Sequence, residues 1–253
     1  VIFLIGRNTL IHRKKSSKTL DEDSLSEAES SSVQGVIHES AKNIAKVVKR
    51  TNRIYSNSIV GLAKQDLTLL KKSKTQVVKL SEEIDDLRDN ITYFIKNLDA
   101  SSLVASGFYI NILGDLQDMS QSLEYISKIS YKHINNNHKK LKLSQIKELK
   151  VIDDSLETLF NDIEKAFKSE SFEKIGSILN EKKAVFDLLN KKIEKQIERT
   201  RTEESSPKNT TLHFSLLLET KDLVDATMNL LEEYHNSFDG SVEPATINVT
   251  EDK

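Results

Sequence analysis

The sequence predicts an all-α protein that is built as two tandem three-helix bundles, with six long antiparallel helices. Three observations favour this fold class. Gly (7) and Pro (2) are scarce among the 253 residues, while hydrophobic and charged residues make up 37% and 30%, a balance typical of long amphipathic helices. Apolar residues recur at helical spacing from about residue 36 to residue 238. An internal repeat of about 105 residues divides these helices into two sets of three.

The composition also argues against several classes of function. The chain has no Cys, which excludes disulfides, thiolate metal sites and cysteine nucleophiles. Its net charge of −2, without a basic stripe interleaved with aromatic residues, gives no reason to expect a nucleic-acid partner. There is no Gly-rich phosphate-binding loop, and the six His lack the H-x-x-x-H and H-E-x-x-H spacings of metal sites. These absences argue against nucleotide hydrolysis and cysteine-based catalysis.

The chain opens with VIFLIGRNTLIHRKK, in which five apolar residues precede a basic stretch. A membrane-spanning helix needs ~20 apolar residues, so five are too few to cross a bilayer. A short apolar run followed by Arg and Lys is nevertheless typical of the cytoplasmic end of such a helix. We predict that residues 1–15 are the end of a transmembrane helix and its basic cytoplasmic flank. The alternative is a trimmed fragment or a basic disordered leader.

Residues 16–33, SSKTLDEDSLSEAESSSV, are rich in Ser and acidic residues and have no apolar periodicity. Such a composition buries too little apolar surface to offset the entropy lost on ordering, so we predict a disordered tether. The tail 239–253 has a similar composition and is also predicted to be disordered.

The first predicted bundle, residues 34–134, contains three helical segments. The first runs over 36–62, and Gly61 weakens its last turn. Asp66 is expected to cap the second segment, 67–98. The third segment runs over 102–131 and is followed by HINNNHKKLKL, where three consecutive Asn favour a turn.

The second predicted bundle, residues 135–238, repeats this organisation. Ser144 is expected to cap the fourth segment, 145–167, and Ser171 the fifth, which continues to about Ile197. The stretch EESSP at 203–207 ends the fifth segment, and the sixth runs over 209–238.

Two sequence matches define the internal repeat. GDLQDMSQSLEY and KDLVDATMNLLEEY align at an offset of 107 residues, which pairs Asp115 with Asp222, Asp118 with Asp225 and Leu123 with Leu230. LAKQDLTLL and FKSESFEKI align at an offset of 105, which pairs Leu62 with Phe167, Leu67 with Phe172 and Leu70 with Ile175. The halves therefore correspond helix by helix, with a two-residue insertion between the two matches.

Acidic residues recur at this repeat and are candidate metal ligands. Residues three or four apart share one face of a helix, so like charges there repel by a few tenths of a kcal/mol unless a cation lies between them. Divalent cations such as Mg²⁺, Mn²⁺ and Ca²⁺, or oxidised iron, prefer such oxygen ligands. The alternative is a solvated face neutralised by nearby Lys and Arg. The candidates are Asp115, Asp118, Glu219, Asp222, Asp225, Glu82 and Asp86.

Several stretches between residues 37 and 237 carry a resemblance to a known family: AKVVKRTNRIYSNSIVGLAKQDLTLLKK, DDLRDNITYFIKNL, LGDLQDMSQSLEYISKISYKHINNNHK, LSQIKELK and LLLETKDLVDATMNLLEEY. They resemble the PhoU family of phosphate-uptake regulators. The closer resemblance is to the PhoU-like C-terminal domain of bacterial inorganic phosphate transporters, of the Pit or sodium/phosphate symporter type. Some members of the family bind multinuclear metal clusters through repeated acidic motifs. This chain departs from that motif, because Lys221 and Gly114 stand where it has an acidic residue.

The resemblance implies a non-enzymatic regulatory domain on the cytoplasmic side of the inner membrane. Its partner would be a transmembrane phosphate-transport domain upstream in the same chain, and self-association is left open. A free-standing PhoU-type module that docks on a separate transporter or sensor kinase is the alternative. A third interpretation, a di-metal carboxylate enzyme, requires a Glu-x-x-His motif on each of two facing helices, whereas the sequence has a single such motif, at Glu232 and His235.

Overall fold

Long helices make up most of the protein in a computed structural model that describes residues 22–89, 103–202 and 206–245. A 3₁₀ turn (Phe172–Lys174) precedes the short helix α5 (Ile175–Leu179). The described residues contain no strand, so the all-α prediction is confirmed. The long helices are α1 (Glu22–Lys64), α2 (Leu67–Asp89), α3 (Leu103–Asn135), α4 (Leu143–Lys168), α6 (Lys182–Thr202) and α7 (Pro207–Ser237).

The helices pack in two sets of three that share one hydrophobic core. In the first half α1, α2 and α3 pack against one another, and in the second half α6 packs against both α4 and α7. Two antiparallel helix pairs, α3 with α7 and α1 with α4, join the halves. Side chains from both halves meet in this core, among them the fully buried Tyr55, Leu116, Phe160 and Leu231. The interface between the halves is therefore part of the core.

The internal repeat is visible in the backbone where the first helix of each half ends. Gln65 and Glu170 both adopt a left-handed conformation, with φ of 56° and 53°. In the first half the Asp66 N–H donates to the Gly61 carbonyl (2.9 Å), and in the second the Ser171 N–H donates to the Ala166 carbonyl (2.8 Å). These bonds close the two helices in the same way. Positions 65 and 170 are separated by the offset of 105 that the sequence predicts.

The predicted caps have mixed outcomes. Asp66 caps α2 as predicted, since its Oδ1 accepts a hydrogen bond from the Leu69 N–H (2.9 Å). The prediction for Ser144 is wrong because α4 already begins at Leu143, where the side chain of Gln145 accepts a hydrogen bond from the Lys142 N–H (3.0 Å). Ser171 precedes the 3₁₀ turn, but its side chain makes no capping hydrogen bond.

The prediction of one continuous fifth helix is also wrong. The 3₁₀ turn and α5 are separated from α6 by residues 180–181. The short helix packs closely on α7, and Gly176 permits this approach, because a Cβ atom there would lie 2.9 Å from the His235 ring. The chain therefore turns against α7 before it continues as α6.

The first helix begins earlier than predicted. Residues 22–33, which we predicted to belong to a disordered tether, form the start of α1, and Ala28 and Val33 are buried. Part of the tail packs against this segment: the Ala245 N–H donates to the Ser31 carbonyl (2.8 Å), and the Ser31 hydroxyl donates to the Glu243 carbonyl (2.8 Å). The local composition of residues 22–33 did not predict this helix, because the residues that pack against it lie more than 200 positions away in the sequence.

Some predictions fall on residues outside the described ranges. These include the predicted transmembrane end at 1–15, the remainder of the tether at 16–21, residues 90–98 of the second segment and the last part of the tail at 246–253. None of the described helices contains a stretch that is long and apolar enough to cross a membrane.

Candidate functional site

The predicted acidic residues of α3 and α7 lie along the contact between these two antiparallel helices. The core residues of this contact, such as Leu116, Leu223 and Leu230, are fully buried. The acidic residues directly precede core positions, so they lie at the edge of the contact. We call this set the acidic seam; it comprises Asp115, Asp118, Glu219, Asp222, Asp225, Glu232 and Glu233.

Asp115 is the most perturbed carboxyl group of the seam. Its side chain is half-buried, and burial is the main cause of a raised pKa. Together with the negative charges of Glu233, Asp118 and Glu232, burial raises the pKa of Asp115 to about 7. The Asn111 side chain donates a hydrogen bond to Glu233 (3.3 Å), which fixes one carboxylate of α7 beside α3. Asp115 therefore changes its charge near neutral pH, within a group of like charges.

The other seam residues differ in their surroundings. Burial raises the pKa of Glu219, and the neighbouring Asp222 adds to this shift, while a hydrogen bond to Ser122 opposes it. Asp225 is exposed and forms an ion pair with Lys182 of α6 (3.0 Å), which also lies 3.6 Å from Glu232. A lysine therefore supplies the cation at this part of the seam.

The acidic run on α2 is divided between two neighbouring helices. Glu83 pairs with Arg50 of α1 (2.8 Å), and Asp85 accepts a hydrogen bond from Gln117 of α3 (3.5 Å). Glu82 and Asp86, the two predicted ligands, are exposed on α2. In the described ranges, no group of three or more His, Cys, Asp or Glu side chains is arranged to hold a metal ion. Metal binding by the seven predicted residues stays a prediction.

A second polar cluster, which the sequence did not predict, is buried between α4, α6 and α7. Arg199 of α6 forms an ion pair with Glu148 of α4 (2.7 Å), and both side chains are at most 5% exposed. Gln196 contacts Arg199 and accepts a hydrogen bond from Gln145 (3.2 Å). We call this set the buried network; with His213 it comprises Gln145, Glu148, Gln196, Arg199 and His213.

His213 of α7 completes the buried network. Its Nε2 atom lies 3.6 Å from Glu148, and its side chain is fully buried. Burial lowers its pKa to about 4; the charge of Glu148 opposes this shift, whereas Arg199 adds to it. The ring is therefore neutral at pH 7, and the Arg199 guanidinium and the Lys195 ammonium (3.2 Å) supply the positive charge beside Glu148.

One signal in the sequence could have identified part of this network. Glu148 lies four residues before Ile152 and eight before Leu156, which are both buried core residues of α4. A carboxylate in this register faces the core and needs a cation or a proton. Its partners lie on two other helices, so their identity depends on the helix packing.

No protein-family model matches the sequence, and no curated protein matches it. Among solved structures, the chain is similar to the crystal structure of the phosphate transport system regulatory protein PhoU from Streptococcus pneumoniae. The TM-score is 0.60 at 15% sequence identity, and the match covers 86% of this chain and 96% of that chain. The fold is therefore PhoU-like, as the sequence resemblance implies.

Proposed function

We propose that this chain is a regulatory domain that modulates phosphate transport. The observation that carries the proposal is the two-half helical architecture, which is shared with almost the whole length of a phosphate transport system regulatory protein. The matched helix ends at Gln65 and Glu170 support the same tandem organisation.

The finer form of the proposal is that the chain is the cytoplasmic arm of an inorganic phosphate transporter in the inner membrane. The apolar and basic residues of VIFLIGRNTLIHRKK support it. The start of α1, the end of α7 and the tail lie together, as the Gln34 contacts with Ser237 and Asp239 indicate. An upstream transport domain would therefore join the helical domain at this end.

The acidic seam offers a mechanism for regulation. It follows the contact between α3 and α7, which is one of the two helix pairs that join the halves. Binding of a proton or a cation beside Asp115 would reduce repulsion with Glu232 and Glu233 and favour closer packing of these helices. Such a shift between the halves would be transmitted to the transport domain through α1.

Phosphate uptake tests the proposal directly. Cells that carry the intact parent gene are compared with cells in which codons 22–245 are deleted in frame, and the initial uptake rate is measured against external phosphate. We expect the deletion to change the rate or its dependence on phosphate. An unchanged uptake curve would overturn the regulatory role.

A seam variant tests the mechanism separately. Asp115→Asn combined with Glu233→Gln should alter the response to external phosphate, because it removes the repulsion between the two helices. Glu157→Gln combined with Glu194→Gln is a matched control, since it removes the same number of charges at exposed positions on α4 and α6 away from the seam. Equal responses of the seam variant and the control would rule out the seam as the regulatory element.

A free-standing module that docks on a separate transporter or sensor kinase is the second candidate. The similarity to a protein that is itself a regulator, and that the match covers over 96% of its length, favours this candidate. The cellular fraction that holds the product of the intact parent gene distinguishes the two candidates. Retention in the membrane after alkaline carbonate extraction would favour the transporter arm, whereas recovery in the soluble fraction with regulation intact would favour the free-standing module.

A further inference from the structure

Charge is unevenly distributed along the sequence, although the net charge is only −2. Between Lys128 and Lys150 the chain has seven Lys and one acidic residue, the buried Glu148. Between Asp225 and Glu243 it has five acidic residues and no Lys or Arg. The stretch 128–150 is therefore strongly basic and the stretch 225–243 strongly acidic, while exposed lysines of neighbouring segments, such as Lys168 and Lys174, lie beside the acidic stretch.

The two regions lie at opposite ends of the long axis. Helix α1 has 43 residues and spans about 64 Å. Near its start, Ser31 and Ser40 contact the tail and Tyr234 of α7. Near its other end, Ser56 contacts Asp153, ten residues after the start of α4. The stretch between α3 and α4 therefore lies far from the acidic end of the molecule.

Buried side chains fix the loop that carries the lysines. His133 donates a hydrogen bond through Nε2 to the Lys139 carbonyl (3.0 Å), and Asn209 of α7 donates to the Lys140 carbonyl (2.7 Å). Both donors are at most 5% exposed. Hydrogen bonds from buried side chains therefore fix the loop backbone, while the side chains of Lys139 and Lys140 are exposed.

An exposed apolar residue lies among these lysines. Leu143, the first residue of α4, is 67% exposed, the largest value among the exposed large hydrophobic residues of the described ranges. Lys147 lies one helical turn further along and is exposed. An apolar side chain surrounded by lysines fits the boundary between lipid headgroups and acyl chains, where both kinds of group are satisfied.

Lipid fits this surface better than nucleic acid does. Residues 132–147 contain no Phe, Tyr or Trp on which bases could stack, and no Arg that could form a bidentate contact with a base or a phosphate. An exposed Leu has no role against a phosphodiester backbone, whereas it gains free energy by leaving water at a membrane interface.

We propose that this basic end docks on an anionic lipid surface, with Leu143 inserted at the level of the headgroups. The docking surface comprises Lys132, Lys139, Lys140, Lys142, Leu143, Lys147 and Lys208. It is separate from the acidic seam and does not depend on the proposed role in phosphate transport. If residues 1–15 also anchor the chain, the long axis of the molecule lies along the bilayer.

Vesicle co-sedimentation of the full chain tests the proposal. The probe is vesicles of phosphatidylcholine and phosphatidylglycerol in equal amounts, compared with vesicles of phosphatidylcholine alone. A Lys near an anionic membrane contributes about fivefold to binding. Lys139→Gln, Lys140→Gln and Lys147→Gln together should therefore weaken binding to the anionic vesicles by about a hundredfold.

A matched triple variant at the acidic end is the control. Lys168→Gln, Lys174→Gln and Lys183→Gln change the net charge equally at exposed positions far from the loop, and binding should stay within a fewfold of the parent chain. Equal loss in both triple variants would overturn the proposal, because net charge alone would then explain binding. Binding that is unchanged in the loop variant would also overturn it, because the basic residues at 7–15 would then suffice.

Leu143→Ser tests the apolar contact with the lysines intact. We expect weaker binding to anionic vesicles and unchanged helical content by circular dichroism. Binding of the full chain to duplex DNA is measured at the same ionic strength. If the loop lysines bind DNA while vesicle binding is absent, the lipid assignment is wrong and the basic end is a nucleic-acid surface.

Discussion

The acidic seam and the buried network differ in the charges that surround their carboxyl groups. In the network, Glu148 is buried with Arg199 as its counter-ion, so opposite charges are paired inside the protein. In the seam, Asp115 is half-buried among carboxylates of its own sign. The stability of the fold depends on a buried ion pair because either charge alone would be buried without a partner. The protonation of a carboxyl group among like charges depends on the pH and the salt concentration of the solution. The network is therefore expected to determine stability, and the seam to determine response.

The largest expected effect is the loss of the buried ion pair. Glu148→Ala leaves Arg199 buried without its carboxylate, and breaking such a pair typically costs about 3–5 kcal/mol. Urea unfolding followed by circular dichroism measures this change. Glu157→Ala, an exposed position on the same helix, should change the free energy of unfolding by at most about 0.5 kcal/mol. Similar values for the two variants would mean that Arg199 does not require Glu148.

The two regions should also differ in the sign of their pH dependence. His213 has a folded-state pKa of about 4, below its ordinary value of 6.5, so the unfolded state binds more protons between these values. The free energy of unfolding should therefore fall as the pH decreases from 6.5 to 4, by about 3 kcal/mol from this group. His213→Gln should remove this part of the pH dependence. If both proteins lose stability equally over this range, His213 is not the responsible group.

Asp115 should have the opposite effect over nearly the same range. Its folded-state pKa of about 7 lies above its ordinary value of 3.8, so the folded state binds more protons between these values. Stability should therefore fall as the pH rises from about 4 to about 7. Asp115→Asn removes this penalty and should stabilise the protein at pH 7 by about 1 kcal/mol, after allowance for solvent screening of a half-exposed group.

The repeat supplies the control for Asp115. Asp222 occupies the corresponding position in the second half, but its side chain is exposed. Asp222→Asn should therefore change stability by at most about 0.5 kcal/mol and leave the pH dependence intact. A larger effect at Asp222 than at Asp115 would contradict the assignment of the perturbed carboxyl group to the first half.

The sequence predicted the parts of the fold that depend on local pattern and on the repeat. The offset of 105 placed the helix ends at corresponding positions, and Asp66 was recognised as a cap because its hydrogen bond spans only three residues. The start of α1 was placed too late, because the hydrogen bonds that the Ser31 and Gln34 region makes with residues 237–245 connect opposite ends of the chain.

The candidate site was predictable only within single helices. Spacing showed that Asp115 and Asp118 share a face of one helix. Spacing could not show that Glu232 and Glu233 lie beside Asp115, or that Lys182 lies opposite Asp225, since these contacts depend on the antiparallel register of α7 with α3 and α6. The buried network was missed for the same reason, because its members come from three helices.

The smallest expected effect concerns cations at the acidic seam. Salt screens repulsion between exposed like charges, so NaCl should stabilise the parent chain by a few tenths of a kcal/mol. This gain should become smaller in the double variant Asp118→Asn and Asp222→Asn, which removes two exposed carboxylates of the seam. Mn²⁺ or Mg²⁺ at equal ionic strength separates screening from metal binding, because a bound ion stabilises the folded state beyond screening. A larger melting-temperature shift with the divalent ion than with NaCl, absent in the double variant, would support the predicted ligands. Equal shifts with both salts would mean that screening explains the whole effect and that the metal hypothesis is wrong.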